Sequence, residues 1–221
     1  WRINFRCSSL RGRRVSLLPR RLSHLYAGFK KPLSDSPSGS SVKVAQFSGY
    51  VAEHTNYHHG EQCLMGTIIG MAQDFPGSNN LPPLVRDGQF GTRLHGGKDA
   101  ANARYIFTKL DMLTRLLFPK EDDVLLDRVI DDGDYVEPEY YVPIIPMILV
   151  NGCSAGIGTG WSCSIPSFNP EDIINNIKHW LKKGLDKMPE IMPWYRGFTG
   201  TIKKVTSTKY KTIGKLEKTM K

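Results

Sequence analysis

KVAQFSGYVAEHTNYHHGEQCLMGTIIGMA, residues 43–72, carries two apolar stripes separated by a polar turn. Val44, Phe47 and Val51 recur at spacings of three and four, as one face of a helix requires. Leu64, Met65, Ile68, Ile69 and Ala72 do the same. His54 to Gly60 joins them, so the pair reads as a helix-turn-helix unit. Such units serve DNA-binding domains and also pack as ordinary structure, which leaves the function open.

Downstream, residues 74–98 hold five glycines and three prolines and read as loop-dominated. Tyr105 to Leu110 reads as a short strand, and Leu110, Leu113, Leu116 and Leu117 as the buried stripe of a helix that ends before Pro119. Nine acids between Glu121 and Glu139 surround Asp131-Asp132-Gly133-Asp134 without calcium-loop spacing, so they read as a solvated face. Tyr141 to Val150 is nearly continuous apolar sequence broken by Pro143 and Pro146, hence a buried strand or extended crossing. Gly156 to Gly160 reads as a glycine loop. Asn169-Pro170-Glu171-Asp172 supplies a cap, a first-turn proline and acids for a helix whose stripe is Ile173, Ile174, Ile177, Trp180 and Leu181, ending at Gly184. Gly200 to Val205 and Tyr210 to Leu216 read as strands of a second unit.

The formal charge of +9 suggests a polyanion partner, but its distribution weakens that inference. Residues 1–41 hold nine Lys/Arg against one acid and residues 203–221 seven against one, which leaves 14 basic against 19 acidic residues for 42–202. Any DNA-binding argument must therefore be local. Residues 1–42 have the composition of an organelle transit peptide; we read them instead as an unmatched, disordered basic arm. Four cysteines at wide spacings indicate neither a zinc site nor a disulfide framework. No apolar run is long enough to span a bilayer, so no membrane partner is expected.

One local concentration of charge stands out. Arg93, Lys98 and Arg104 fall within about a dozen residues of Tyr105. A tyrosine can act as a covalent nucleophile, and at a phosphodiester it needs cations to stabilise charge on the phosphoryl oxygens. A tyrosine beside an arginine is also, commonly, a packing residue.

The order of short blocks adds to this. Lys43-Val44-Ala45-Gln46, Tyr57-His58-His59-Gly60-Glu61, Gly77-Ser78-Asn79-Asn80, Gln89-Phe90-Gly91-Thr92-Arg93, and Gly96-Gly97-Lys98-Asp99 through Arg104-Tyr105-Ile106 together resemble the eukaryotic type IIA DNA topoisomerases. Pro143 to Met147, Gly156 to Trp161 and Pro193 to Gly197 continue the likeness, which covers residues 43–217.

The resemblance implies an α+β fold: a winged-helix-like DNA-cleavage domain at 43–193, and the truncated start of a tower domain at 194–221. It implies that Tyr105 attacks a backbone phosphorus to leave a 5′-phosphotyrosyl link, with Arg104 and His59 as its catalytic neighbours. Tyr57, His58, Arg93 and Lys98 are implied to contact DNA, and Ile157 to wedge between base pairs. Asn151 to Gly156 is one residue longer than the family's spacing, which bears on how Ile157 is presented. For the complete enzyme the resemblance implies double-stranded DNA as partner, a homodimer, a nuclear location, and Mg²⁺ and ATP bound by domains outside this sequence. The isolated chain is expected to be inactive. Two competing readings are an inactive DNA-binding fragment of a degraded or misassembled gene, and a helix-turn-helix structural protein without a nucleic-acid role.

Overall fold

Val44, Phe47 and Val51 are fully buried, as are Leu64 and Ile68, so both stripes of residues 43–72 enter one core. The computed structural model describes residues 19–30, 40–55, 57, 60–158, 161–184 and 188–216. In chain order the elements are α1 (Pro19–Lys30), β1 (Val42–Lys43), α2 (Val44–His54), α3 (Glu61–Ala72), β2 (Leu84–Asp87), β3 (Phe107–Leu110), α4 (Met112–Leu117), β4 (Arg128–Asp131), β5 (Asp134–Pro138), α5 (Met147–Val150), β6 (Cys153–Gly158), β7 (Trp161–Ile165), α6 (Pro170–Lys183), β8 (Thr201–Lys204) and β9 (Tyr210–Ile213). A 3-10 helix, Lys120–Leu125, separates α4 from β4.

β3 is the centre of an antiparallel sheet of order β1-β3-β2, with Val42 opposite Thr108 and Leu84 opposite Leu110. Helices α1, α2 and α3 pack on one another, and α3 also meets β2. Three helices with a small sheet give the α+β, winged-helix-like arrangement expected.

Helix α1 corrects the reading of residues 1–42 as a disordered arm, at least for 19–30. Leu25 and Ala27 are fully buried, Tyr26 nearly so, and Phe29 packs edge-on against Tyr141 at 5.5 Å. Arg115 lies 3.6 Å over the Phe29 ring, and the Ser23 hydroxyl donates to Glu137 Oε1 at 3.2 Å. Basic composition concealed a stripe of Leu25, Tyr26 and Phe29 at helical spacing.

Three other expectations change. α4 is capped by the Asp111 carboxylate, which accepts from Leu113 N–H, yet Leu113 and Leu116 are 49% and 66% exposed. Only Leu110 and Leu117 of the proposed stripe are buried. Residues 141–150 form no strand; they close in the one-turn helix α5, because Pro143 and Pro146 lack the N–H groups a ladder needs. Of the glycine-dense stretch, Gly156 to Gly158 are the end of strand β6, which pairs with β7, and 159–160 lie outside the described residues. Between Cys153 opposite Ile165 and Gly156 opposite Cys163, β6 spends one residue more than β7, which is a bulge. Pairing is regular beyond it, with Ile157 opposite Ser162.

α6 forms as expected: Asn169 Oδ1 accepts from Glu171 N–H at 3.0 Å, and Gly184 closes the helix. Ile173 is buried, Ile174 and Ile177 pack against the core, but Leu181 is exposed. β8 and β9 pair as a hairpin, with Lys203 opposite Lys211. Asn80 ties this region to the core: its Nδ2 lies within hydrogen-bonding distance of the Val150, Phe168 and Trp194 carbonyls, and its Oδ1 accepts from Arg196 N–H at 2.9 Å.

If α1 belongs to the core, Leu25→Ala should destabilise the chain by about 2–5 kcal/mol, read from denaturant unfolding. A change below about 0.5 kcal/mol, the size of a surface substitution, would detach α1 from it.

Candidate active site

α2 starts at Val44 without a side-chain cap, so its first N–H groups need partners from elsewhere. Val44 N–H donates to the Ile106 carbonyl at 3.0 Å and Ala45 N–H to the Ala103 carbonyl at 3.1 Å. The turn between those carbonyls is thereby seated on the helix end. Within it, Tyr105 N–H donates to Asn102 O at 2.9 Å and Arg104 N–H to Asn102 Oδ1 at 3.2 Å. Ala103 and Ile106 are buried, whereas Arg104 is exposed and Tyr105 is 70% exposed. Two anchored neighbours present a guanidinium and a phenol outward.

A second loop, residues 89–99, carries Arg93 and Lys98 and shares a base with this turn, since Ala101 N–H donates to Gln89 O at 2.9 Å. It folds tightly on itself. Gly97 N–H donates to Thr92 O at 2.8 Å, and a Cβ on Gly91 (φ 94°) would lie 2.6 Å from Gly97 Cα. Asp99 is turned inward: its Oδ1 accepts from Thr92 N–H and its Oδ2 from the Thr92 hydroxyl, both at 2.8 Å. The Thr92 backbone N–H, above all, holds the Asp99 carboxyl below the usual carboxylate range, and the hydroxyl adds to the effect. Arg93 and Lys98 are exposed, and the Arg93 guanidinium carbon stands 5.7 Å from the centre of the Phe198 ring. The arrangement offers an accessible phenol and a set of solvent-facing cations, as attack on a phosphodiester requires.

The family model for the A-type subunit of DNA gyrase/topoisomerase IV matches residues 20–221. The chain belongs to the type IIA DNA topoisomerase family. It is 53% identical to DNA topoisomerase 2 of Arabidopsis thaliana over 86% of this chain and 12% of that protein. It is 52% identical to DNA topoisomerase 2 of Saccharomyces cerevisiae over 87% of this chain and 13% of that one. The chain thus spans about an eighth of the length of these curated relatives. Among solved structures it is similar to the Plasmodium falciparum topoisomerase II DNA-binding, cleavage and re-ligation domain, with a TM-score of 0.85 and 49% identity over 92% of this chain and 27% of that one. The match from residue 20 agrees with the packing of α1 and extends the likeness upstream of Lys43.

Within this topoisomerase chain the remaining site candidates are placed unequally. His58 and His59 lie outside the described residues. The Tyr57 ring is partly buried against the core and its hydroxyl oxygen is shielded from solvent. Ile157 sits in β6 past the bulge, and its side chain is outside the described set. Residues that brace the site, namely Gln73, Asp99 and Phe198, received no role from the sequence. Of these only Asp99 falls in a block that carries the family resemblance.

The pH dependence of the Thr92–Asp99 clamp follows in sign. Its carboxyl is depressed in the folded chain, so the clamp stabilises the loop above the unfolded aspartate value and is lost as pH falls through the lower folded value. An NMR titration of the Asp99 carboxyl should give a midpoint below about 3.9, and Thr92→Val should raise it part-way, since the backbone N–H remains. A midpoint at or above the ordinary value would contradict the clamp.

Proposed function

We propose that this chain supplies the nucleophile of a DNA-cleavage centre in a complete type IIA topoisomerase that passes one duplex through a transient break in another, driven by ATP. The observation that carries this reading is the outward presentation of Tyr105 beside Arg104 on a turn pinned at both flanks. The Tyr105 phenolic oxygen attacks a backbone phosphorus, forming a P–O bond to tyrosine. The bond from phosphorus to the 3′ oxygen breaks, and the proton that the phenol gives up to a carrier is passed on to that oxygen, which leaves as a hydroxyl. Arg104 stabilises the charge of the pentacovalent phosphoryl group, and His59 is the proposed proton carrier. Attack by the 3′-hydroxyl on the phosphotyrosyl bond reverses the sequence, so the strand is resealed without net hydrolysis. Arg93 and Lys98 hold the flanking backbone, His58 and Tyr57 are further proposed DNA contacts, and Ile157 is the proposed wedge.

Two tyrosines from a homodimer would cut both strands. Magnesium is implied for the complete enzyme, where a divalent ion supplies positive charge to the oxygens of a phosphoryl transfer. Among the described residues no group of three or more His, Cys, Asp or Glu is placed to hold such an ion. The isolated chain, without the domains that would bind the ion in the complete enzyme, is proposed to be inactive. A nuclear location is proposed for the complete protein; the Dictyostelium discoideum relative, 52% identical over 90% of this chain, is named as mitochondrial.

In the full-length protein with Mg²⁺, a denaturation-resistant DNA adduct should form and disappear in Tyr105→Phe. Salt-dependent DNA binding without any adduct would favour the inactive-fragment reading, and no binding at low salt would sink a nucleic-acid role altogether. Lys98→Ala should weaken binding across sequences alike and reduce the log–log salt slope by about 1, measured by fluorescence anisotropy. An unchanged slope would remove Lys98 from the phosphate contacts.

A further inference from the structure

The 89–99 loop is braced by a residue to which the cleavage chemistry gives no part. Gln73 caps the end of α3, its own N–H donating to Ile69 O and its carbonyl accepting from Asn79 Nδ2 at 2.8 Å. From that fixed position its Nε2 donates to the Phe90 carbonyl at 2.8 Å and to the Gly97 carbonyl at 3.2 Å. These two carbonyls bracket the loop. Phe90 anchors one end with a buried ring, and Gly97 immediately precedes Lys98 at the other. The fit leaves no slack, because a Cβ on Gly97 would collide with the Gln73 amide. Arg93, Leu94, His95 and Lys98 are all exposed, so burial contributes little to holding the stretch between.

We infer that Gln73 is a positioning residue: it ties α3 to the loop bearing Arg93 and Lys98, and so sets where these cations stand relative to Tyr105. This rests on the cleavage reading above. A side-chain amide nitrogen carries two hydrogens and can serve both carbonyls at once, which neither a carboxylate nor an apolar side chain can do. Loss of the brace leaves the number of cations unchanged. DNA affinity and its salt slope, which count phosphate contacts, should therefore persist, while the rate of a step that depends on alignment should fall.

The test uses the complete enzyme, with Gln73→Met to keep side-chain volume and remove the donor. Single-turnover formation of the Tyr105 adduct at saturating DNA should slow about tenfold, with affinity held within about twofold. Lys98→Ala should cost less in the Gln73→Met background than in the parent, because the two residues act through one geometry. Should Gln73→Met fail to fold, Gln73→Glu removes the same amide donor at equal length and should show the same split between rate and affinity. The inference is overturned if an active parent and Gln73→Met cleave within about twofold of each other, or if rate, affinity and thermal midpoint all fall together. A parent that forms no adduct overturns the cleavage reading and the role of Gln73 with it.

Discussion

The uncapped start of α2 is the constraint on which the site depends. Its first N–H groups cannot be left unpaired against the core, and they find the Ala103 and Ile106 carbonyls. Immediately before them, Val42 and Lys43 pair with Thr108 and Phe107 in the sheet. Residues 42–45 thus run a continuous set of hydrogen bonds along 103–108, first as a strand and then as a helix end. Each bond contributes only about 1 kcal/mol net, but breaking one strands a buried group at a cost of about 1–3 kcal/mol. Phe47, Leu64 and Ile68 belong to the buried apolar core, and this seam supplies the register. Tyr105 is aimed by the register.

The separation explains what could be read in advance. Stripes such as Val44-Phe47-Val51 and the Asn169 cap of α6 are local signals, and they appear where periodicity and capping chemistry put them. α1 escaped notice because arginines dominate its surroundings and half of what it buries, Ser23, His24 and Gly28, carries no apolar signal. α4 misled in the opposite direction. Periodicity shows that Leu113 and Leu116 share a face with Leu117, but it carries no information about which part of the face has a partner. The bulge before Gly156 was not legible, because a bulge is decided by cross-strand pairing.

At the site the same rule holds more sharply. Tyr105, Arg104, Arg93 and Lys98 stand out by type and proximity in sequence. The residues that hold them do not. Gln73 bonds to carbonyls 17 and 24 residues away, and a backbone carbonyl has no residue-type signature. Asn80 likewise reaches carbonyls of Val150, Phe168 and Trp194. Chemistry-bearing side chains are therefore legible before their supports, since the supports act on main-chain atoms that every residue possesses.

Folding and function thus draw on different parts of the protein. The core is large and apolar, whereas Arg93, Lys98 and Arg104 are exposed and contribute almost nothing by burial. Their attraction for a polyanion is long-ranged but screened within about 8–10 Å at ordinary ionic strength, and it tolerates small displacements. Transfer at phosphorus does not, because an offset of about 1 Å can cost orders of magnitude in rate. Affinity therefore needs only that the cations be present, while chemistry needs them in place. Placement is assigned to backbone hydrogen bonds: the α2 seam for Tyr105 and Arg104, and the Gln73 and Asp99 contacts for the loop. The downstream segment joins the same system, since Asn80 fixes Trp194 and Arg196, and Phe198 then meets Arg93. A shift of that segment relative to the core would reach the cation loop through Phe198 before it reached Tyr105, whose turn is held by α2.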